Sequence, residues 1–142
     1  MFFLKDLPTQ KMLERYAANH PEMNIAKTQD ALSLMRKASL LIRKLEAYFA
    51  SHGLSQTRFL ILIVLDREPD HTHLTLSDLV QRLDVSKPVI TQTLKTLQAD
   101  GYVSIETDLI DRRHKHVQLS DKGHHKLKEI LPGYFALIDR EM

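Results

Sequence analysis

Two adjacent arginines, Arg112 and Arg113, follow Asp111 in a short charged run set between two segments that alternate apolar and polar residues, 102–107 and 115–119. Alternation with period two reads as a pair of strands, which makes 108–113 the tip of a hairpin. Paired guanidinium groups at such a tip suit the phosphates or the minor groove of a duplex. Asp111, two residues before Arg113, is placed to hold that guanidinium through a bidentate ion pair, leaving its other N–H donors facing outward. His114 extends the cationic run. A second set lies upstream, where Pro88, Thr91, Gln92, Lys95 and Thr96 share one side of a helix that also begins with Ser86 and Lys87. Gln bonds adenine bidentately, Thr touches the thymine methyl, and Lys reaches guanine or phosphate, so this side suits the edges of bases in a major groove. Taken alone, the same face is equally well a solvated helix surface.

Histidines are the remaining reactive groups: His71/His73, His114/His116 and His124/His125. His114 and His116, two apart on a strand, fall on one side of it. A metal site needs three or four convergent ligands, and without cysteine it must be built from His, Asp and Glu. The plainer reading makes His114 and His116 hairpin residues near phosphate, and no metal ligands are assigned. No Gly-rich phosphate loop, nucleophile elbow, HExxH or paired-carboxylate pattern is present, so no catalytic residue and no cofactor is expected.

The elements that must position these groups are marked by their ends. A helix over 76–83 places Leu76, Leu79, Val80 and Leu83 on one face, with Thr75 or Ser77 to cap it. Asp84-Val85 turns the chain. Ser86 caps the next helix, Pro88 sits in its first turn where the missing N–H costs nothing, and Gly101 ends it where a left-handed residue is wanted. Ile90, Leu94 and Leu97 form its buried side. Two helices, a turn and a hairpin make a winged helix-turn-helix, in a chain that is mostly α with a small β wing (α+β).

In this order and spacing the chain resembles the MarR family of bacterial transcriptional regulators. The resemblance is carried by Asp111-Arg112-Arg113 set after Gly101-Tyr102-Val103 and before Leu119-Ser120-Asp121-Lys122-Gly123, and it spans 54–131. It implies a homodimer on pseudo-palindromic double-stranded DNA, usually a repressor, released by a small aromatic or anionic effector. It also implies that the aspartate and second arginine of the wing motif act as a pair, here Asp111 and Arg113. Many members carry arginines where this chain has Ile105, Gln92 and Thr96, so the operator does not carry over.

The 142 residues, 43% hydrophobic, suffice for one compact core, and larger assemblies must come from association. A net charge of only +2 means that nucleic-acid binding has to rest on where the cations sit. The absence of cysteine removes disulfides and thiol switches, a thiol peroxide sensor among them. Met1-Phe2-Phe3-Leu4 is too short for a signal-peptide core and no apolar run reaches membrane-spanning length, so a cytoplasmic protein with no membrane partner is expected.

Outside the DNA-binding core, Thr9 and Pro21 bracket a helix whose stripe is Met12, Leu13, Tyr16 and Ala17. From Ile25 or Thr28 a long helix runs to Ser51, with Ala31, Leu34, Ala38, Leu41, Leu45 and Tyr48 in line and Gly53 ending it. Ser55 caps a nearly continuous apolar helix over 56–66 that must lie centrally. Residues 68–73 read as a loop, and Leu74 as the start of a third wing strand. Ser120 caps a helix over 121–131, which Pro132-Gly133 breaks or kinks before 134–142. Domain limits of 1–53, 54–119 and 120–142 follow, the first and last serving dimerisation. Family members usually carry another full helix at the C-terminus, so either 1–20 substitutes for it or the chain is a shortened form. The apolar sets Phe2, Phe3, Leu4, Met12, Leu13, Tyr16 and Tyr134, Phe135, Leu137, Ile138 are expected to lack partners within the chain. An effector pocket, if one exists, belongs between the long helix, the 56–66 helix and the post-wing helix, where Arg43, Tyr48, His52 and Arg58 supply polar groups. Two alternatives remain: a winged-helix module that binds protein through the same face, and a metal-responsive regulator using His, Asp and Glu.

Overall fold

A computed structural model describes residues 1–69 and 73–142, so His71 and the middle of the 68–73 connection lie outside the described residues. Six helices and three strands follow one another as α1 (Gln10–Asn19), α2 (Ile25–Ser51), α3 (Gln56–Asp66), β1 (Leu74–Thr75), α4 (Leu76–Arg82), α5 (Lys87–Ala99), β2 (Val103–Thr107), β3 (Lys115–Leu119) and α6 (Asp121–Glu141). Among the described residues no helix is long and apolar enough to cross a membrane.

Two compact units divide the chain, Met1–Leu45 and Glu46–Met142. In the first, the Thr9 side chain caps α1 by accepting from the Met12 amide. Asn24 settles where α2 starts, because its side chain accepts from the Lys27 amide at 2.9 Å and turns the chain into a helix at Ile25 rather than Thr28. Ser39 is almost fully buried and donates to the Phe2 carbonyl at 2.9 Å, which ties down the N-terminal segment.

In the second unit α3 is the hub. Its run buries Phe59, Ile61, Leu62, Val64 and Leu65, and it packs against α4, α5, α6 and β3. Each such side chain contributes roughly 1.5–3 kcal/mol of burial. Phe49, from the last part of α2, stacks on Phe59 with ring centroids 4.2 Å apart, and Tyr134 of α6 covers both. The sheet has the order β1-β3-β2, all antiparallel, with Leu74 and Ile105 each opposite Val117. Leu74 therefore does begin a third wing strand.

Three sequence expectations are corrected. The post-wing helix is not broken at Pro132-Gly133; α6 runs unbroken from Asp121 to Glu141 with Pro132 inside it. Beside the proline a side chain from far away in sequence docks on this helix: the Tyr48 hydroxyl donates to the Ile130 carbonyl at 2.6 Å. Gly133 makes room, since a Cβ there would sit 2.3 Å from that hydroxyl oxygen. Burial and the nearby Glu129 carboxylate raise the Tyr48 pKa, while the Tyr134 amide lowers it. Second, the terminal apolar sets are not wholly without partners. Leu13 and Leu137 are buried and Tyr134 is stacked, which leaves Phe3, Leu4, Met12, Tyr16 and Phe135 exposed. Third, Ser86 occupies the N-cap position of α5 with extended backbone, but its side chain makes no capping bond; Pro at the second helical position has no N–H to offer.

Candidate nucleic-acid interface

Burial of Ile90, Leu94 and Leu97 seats α5 on the core and turns its opposite side outward. Lys87, Pro88, Gln92, Lys95 and Thr96 are exposed and Thr91 is half-buried. The Thr96 hydroxyl is occupied within its own helix, donating to the Thr93 carbonyl at 2.8 Å. Ahead of α5, a full capping box closes the start of α4: the Thr75 hydroxyl accepts from the Asp78 amide at 3.1 Å, and Asp78 accepts from the Thr75 amide at 2.9 Å. Gly101 ends the α5 region with a φ of +79°, the left-handed conformation that side-chain-bearing residues avoid.

The wing tip is braced by two carboxylates. Arg113 donates Nε and Nη2 to the two oxygens of Asp111, both at 3.0 Å, and its backbone amide adds a bond at 3.1 Å. This is the bidentate pair expected from the sequence. Its partner is nonetheless outward: the Arg113 side chain is 88% exposed. The Arg113 guanidinium holds the Asp111 carboxyl below the usual range, and Asp111 raises the arginine in return. Asp108 supplies the second brace. It accepts from the Ile110 amide at 2.8 Å and the Asp111 amide at 3.3 Å, and its other oxygen meets His116 Nε2 at 3.1 Å. These bonds, the Ile110 amide foremost, draw its pKa down to about 2. Sequence reasoning passed over Asp108, although an aspartate opening a turn and accepting from amides two and three residues on is a recognisable local signal.

His114 and His116 meet different carboxylates. His114 precedes β3, closes the tip by donating its amide to the Asp111 carbonyl at 3.0 Å, and points its ring at Asp111, with 3.3 Å between Nε2 and Oδ2. His116 lies within β3 and turns to Asp108, with His73 edge-on to its ring at 4.3 Å. Regular strand structure begins at Lys115, one residue after His114. Among the described residues no group of three or more His, Asp or Glu side chains is placed to hold a metal ion.

Between helix-turn-helix and wing lies a cleft of about 400 Å³ where Lys87, at the start of α5, meets the wing. Lys87 from α5 and Arg113, His114 and Lys115 from the wing line it, with Thr75, Ser77 and Gln81 of the α4 region on the remaining side. Lys87, Arg113, His114 and Lys115, beside hydroxyl and amide groups and the apolar Leu76 and Val80, form a surface that can meet a polyanion. Sequence reasoning missed Ser77, Gln81 and Lys115 as members of this surface, because only the fold sets α4 beside β3.

Of the four residues placed at an effector pocket, Tyr48 and His52 are neighbours with rings 4.8 Å apart, and His52 faces Glu129 at 3.5 Å. Arg58 is engaged elsewhere: it pairs with Asp100, donates to the Gly53 carbonyl at 3.2 Å and lies over the Tyr102 ring at 5.8 Å. Arg43 is half-buried and belongs to the first unit, Met1–Leu45.

A family model described as MarR family matches residues 52–114, which take in the helix-turn-helix and most of the wing. The chain is 33% identical to the HTH-type transcriptional repressor YetL of Bacillus subtilis over 139 residues, covering 98% of this chain and 83% of that protein. Among solved structures it is similar to Sco3205, a MarR family transcriptional regulator from Streptomyces coelicolor in complex with DNA, with a TM-score of 0.79 at 19% identity over 84% of this chain and 78% of that one. Bordetella bronchiseptica BpsR, whose DNA binding is regulated by 6-hydroxynicotinic acid, gives a TM-score of 0.69 at 19% identity over 80% of this chain and 83% of that one.

Proposed function

The chain belongs to the MarR family of transcriptional regulators, and from that premise we propose that it is a sequence-specific duplex-DNA-binding repressor that acts as a homodimer. The observation that carries the proposal is the single cleft shared by Lys87 and by Arg113, His114 and Lys115. In this reading α5 enters the major groove, Gln92 and Lys95 address base edges, Thr91 and Pro88 pack beside them, and Ser86 and Lys87 meet phosphate. The wing, with Arg112, Arg113 and His114, reaches the neighbouring minor groove or its phosphates, and Asp111 serves to aim Arg113.

The exposed Phe3, Leu4, Met12, Tyr16 and Phe135 suit an interface with a second copy, for which 1–53 and 120–142 are the proposed dimerisation regions. Release by a small aromatic or anionic effector is part of the proposal, supported by the relation to BpsR, and Tyr48 and His52 are the groups proposed to meet it. The family reading leaves the protein without a catalytic role, and a soluble cytoplasmic location follows from its proposed target.

Binding to random duplexes at a series of salt concentrations tests this directly. Counterion release makes log affinity fall linearly with log salt, and a flat response points instead to a protein-binding module. Selection from a random duplex library is expected to return paired half-sites centred about one helical turn apart. Sequences without dyad symmetry count against the two-copy reader.

A further inference from the structure

The wing tip carries two large apolar side chains that touch nothing. Leu109 and Ile110 are each 98% exposed, well above the other large hydrophobic side chains of the described residues. Turn chemistry at this place favours Asn, Asp, Gly or Ser, and two branched apolar residues contribute nothing to folding when no atom covers them. Their position is nevertheless held. The Asp108 amide donates to the His114 carbonyl at 2.9 Å, and the Ile110 and Asp111 amides both donate to Asp108 Oδ1. The two side chains are thus the outermost point of a closed turn, and the exposed Arg112 and Arg113 follow one residue later, after Asp111.

An apolar point backed by cations fits one class of surface. Proteins that enter the DNA minor groove insert Leu, Ile, Phe, Met or Pro between base steps while basic side chains hold the flanking phosphates. Resting on the reading of the chain as a duplex-DNA binder, we propose that Leu109 and Ile110 form a wedge that enters the minor groove and partly unstacks a base step at each outer edge of the operator. Specificity would then come partly from the ease of deforming that step, with flexible pyrimidine–purine steps favoured there. Such a preference lies at base pairs that α5 does not contact.

The test compares the full chain with the double variant Leu109→Ser/Ile110→Ser on a duplex recovered by selection with the wild-type protein. Both positions being solvent-exposed, the variant is expected to melt with the wild type. Its affinity is expected to fall at least tenfold, about 1.4 kcal/mol. The salt slope is expected to stay unchanged, because apolar insertion releases no counterions. In the wild-type complex, permanganate is expected to oxidise thymines at two symmetric outer positions, and the variant complex is expected to lose that reactivity. Unchanged affinity, a reduced salt slope, absent thymine reactivity, or a defect confined to self-association each overturns the wedge. If the wild-type protein recovers no duplex at all, the DNA-binding reading itself has failed and the wedge falls with it.

Discussion

The start of α5 and the wing meet at one cleft, yet the helix and the wing tip are held in place by opposite means. Behind α5 stand Ile90 and Leu97, both with no exposed surface, so the helix face inherits its position from the core. The wing tip has no core behind it. From Asp108 to His114 nothing is buried, and the turn is set by two carboxylates that accept from local amides and an arginine. A face held by packing is rigid and hard to alter without unfolding the domain. A tip held by surface hydrogen bonds can be loosened by one substitution and leave the fold intact.

The strongest way to break that contrast is to remove packing beneath α5. Leu97→Ala is expected to cost roughly 2–5 kcal/mol of stability, through lost burial and an unfilled cavity, read as a lowered denaturation midpoint. A loss below about 1 kcal/mol would mean that α5 does not depend on its core side. At the wing, Arg113→Ala is expected to leave the melting curve unchanged and weaken binding to all duplexes alike, by about 1.5–3 kcal/mol per wing, with the salt slope lowered by about one. Retained affinity with an unchanged slope would take the wing out of the interface.

Gln92→Ala sharpens the comparison from the other side. Its expected effect is confined to one base pair of each half-site, at roughly 1–3 kcal/mol of discrimination, in competition assays against single-base variants. A uniform loss across all sequences would place Gln92 on phosphate instead. Asp111→Ala is expected to imitate Arg113→Ala more mildly, because it frees the guanidinium without removing it. A larger loss than that of Arg113→Ala would reverse the assigned order.

The smallest effect is that of acid on the turn. With a folded pKa of about 2 against the usual 3.8, Asp108 contributes its full share of wing stability above the unfolded value and loses it only as the pH falls through the folded one. The Ile110 amide shift, followed by NMR, is therefore expected to stay constant down to about pH 4 and then to titrate with a midpoint near 2. A midpoint at the ordinary carboxylate value would show that the brace does not form.

What was legible in the sequence follows the same division. The Thr9 and Ser55 caps, the Gly101 stop, the Pro88 start and the Asp111–Arg113 pair involve partners within a few residues, so local chemistry discloses them. The continuity of α6 was not legible. Pro132 and Gly133 read locally as breakers, and the Tyr48 hydroxyl that meets Ile130 beside them comes from 82 residues away. The pairing of Arg58 with Asp100, 42 residues apart, was hidden for the same reason, and it draws Arg58 toward the α5–β2 corner. The burial of Leu13 and Leu137 and the stacking of Tyr134 likewise depend on packing partners that an apolar stripe does not name.

β3 is the middle strand of its sheet, and Val117, with no exposed surface, is opposite Leu74 on one side and Ile105 on the other. In mechanical terms the wing is a cantilever clamped at Val117. Bending is concentrated beyond the clamp, where Thr107 and Lys115 have each other and no third strand. A load at the tip travels back along β3 to His116, and from there across the ladder to Thr75, the residue that caps α4. Through that ladder the wing is joined directly to the start of the first helix of the helix-turn-helix.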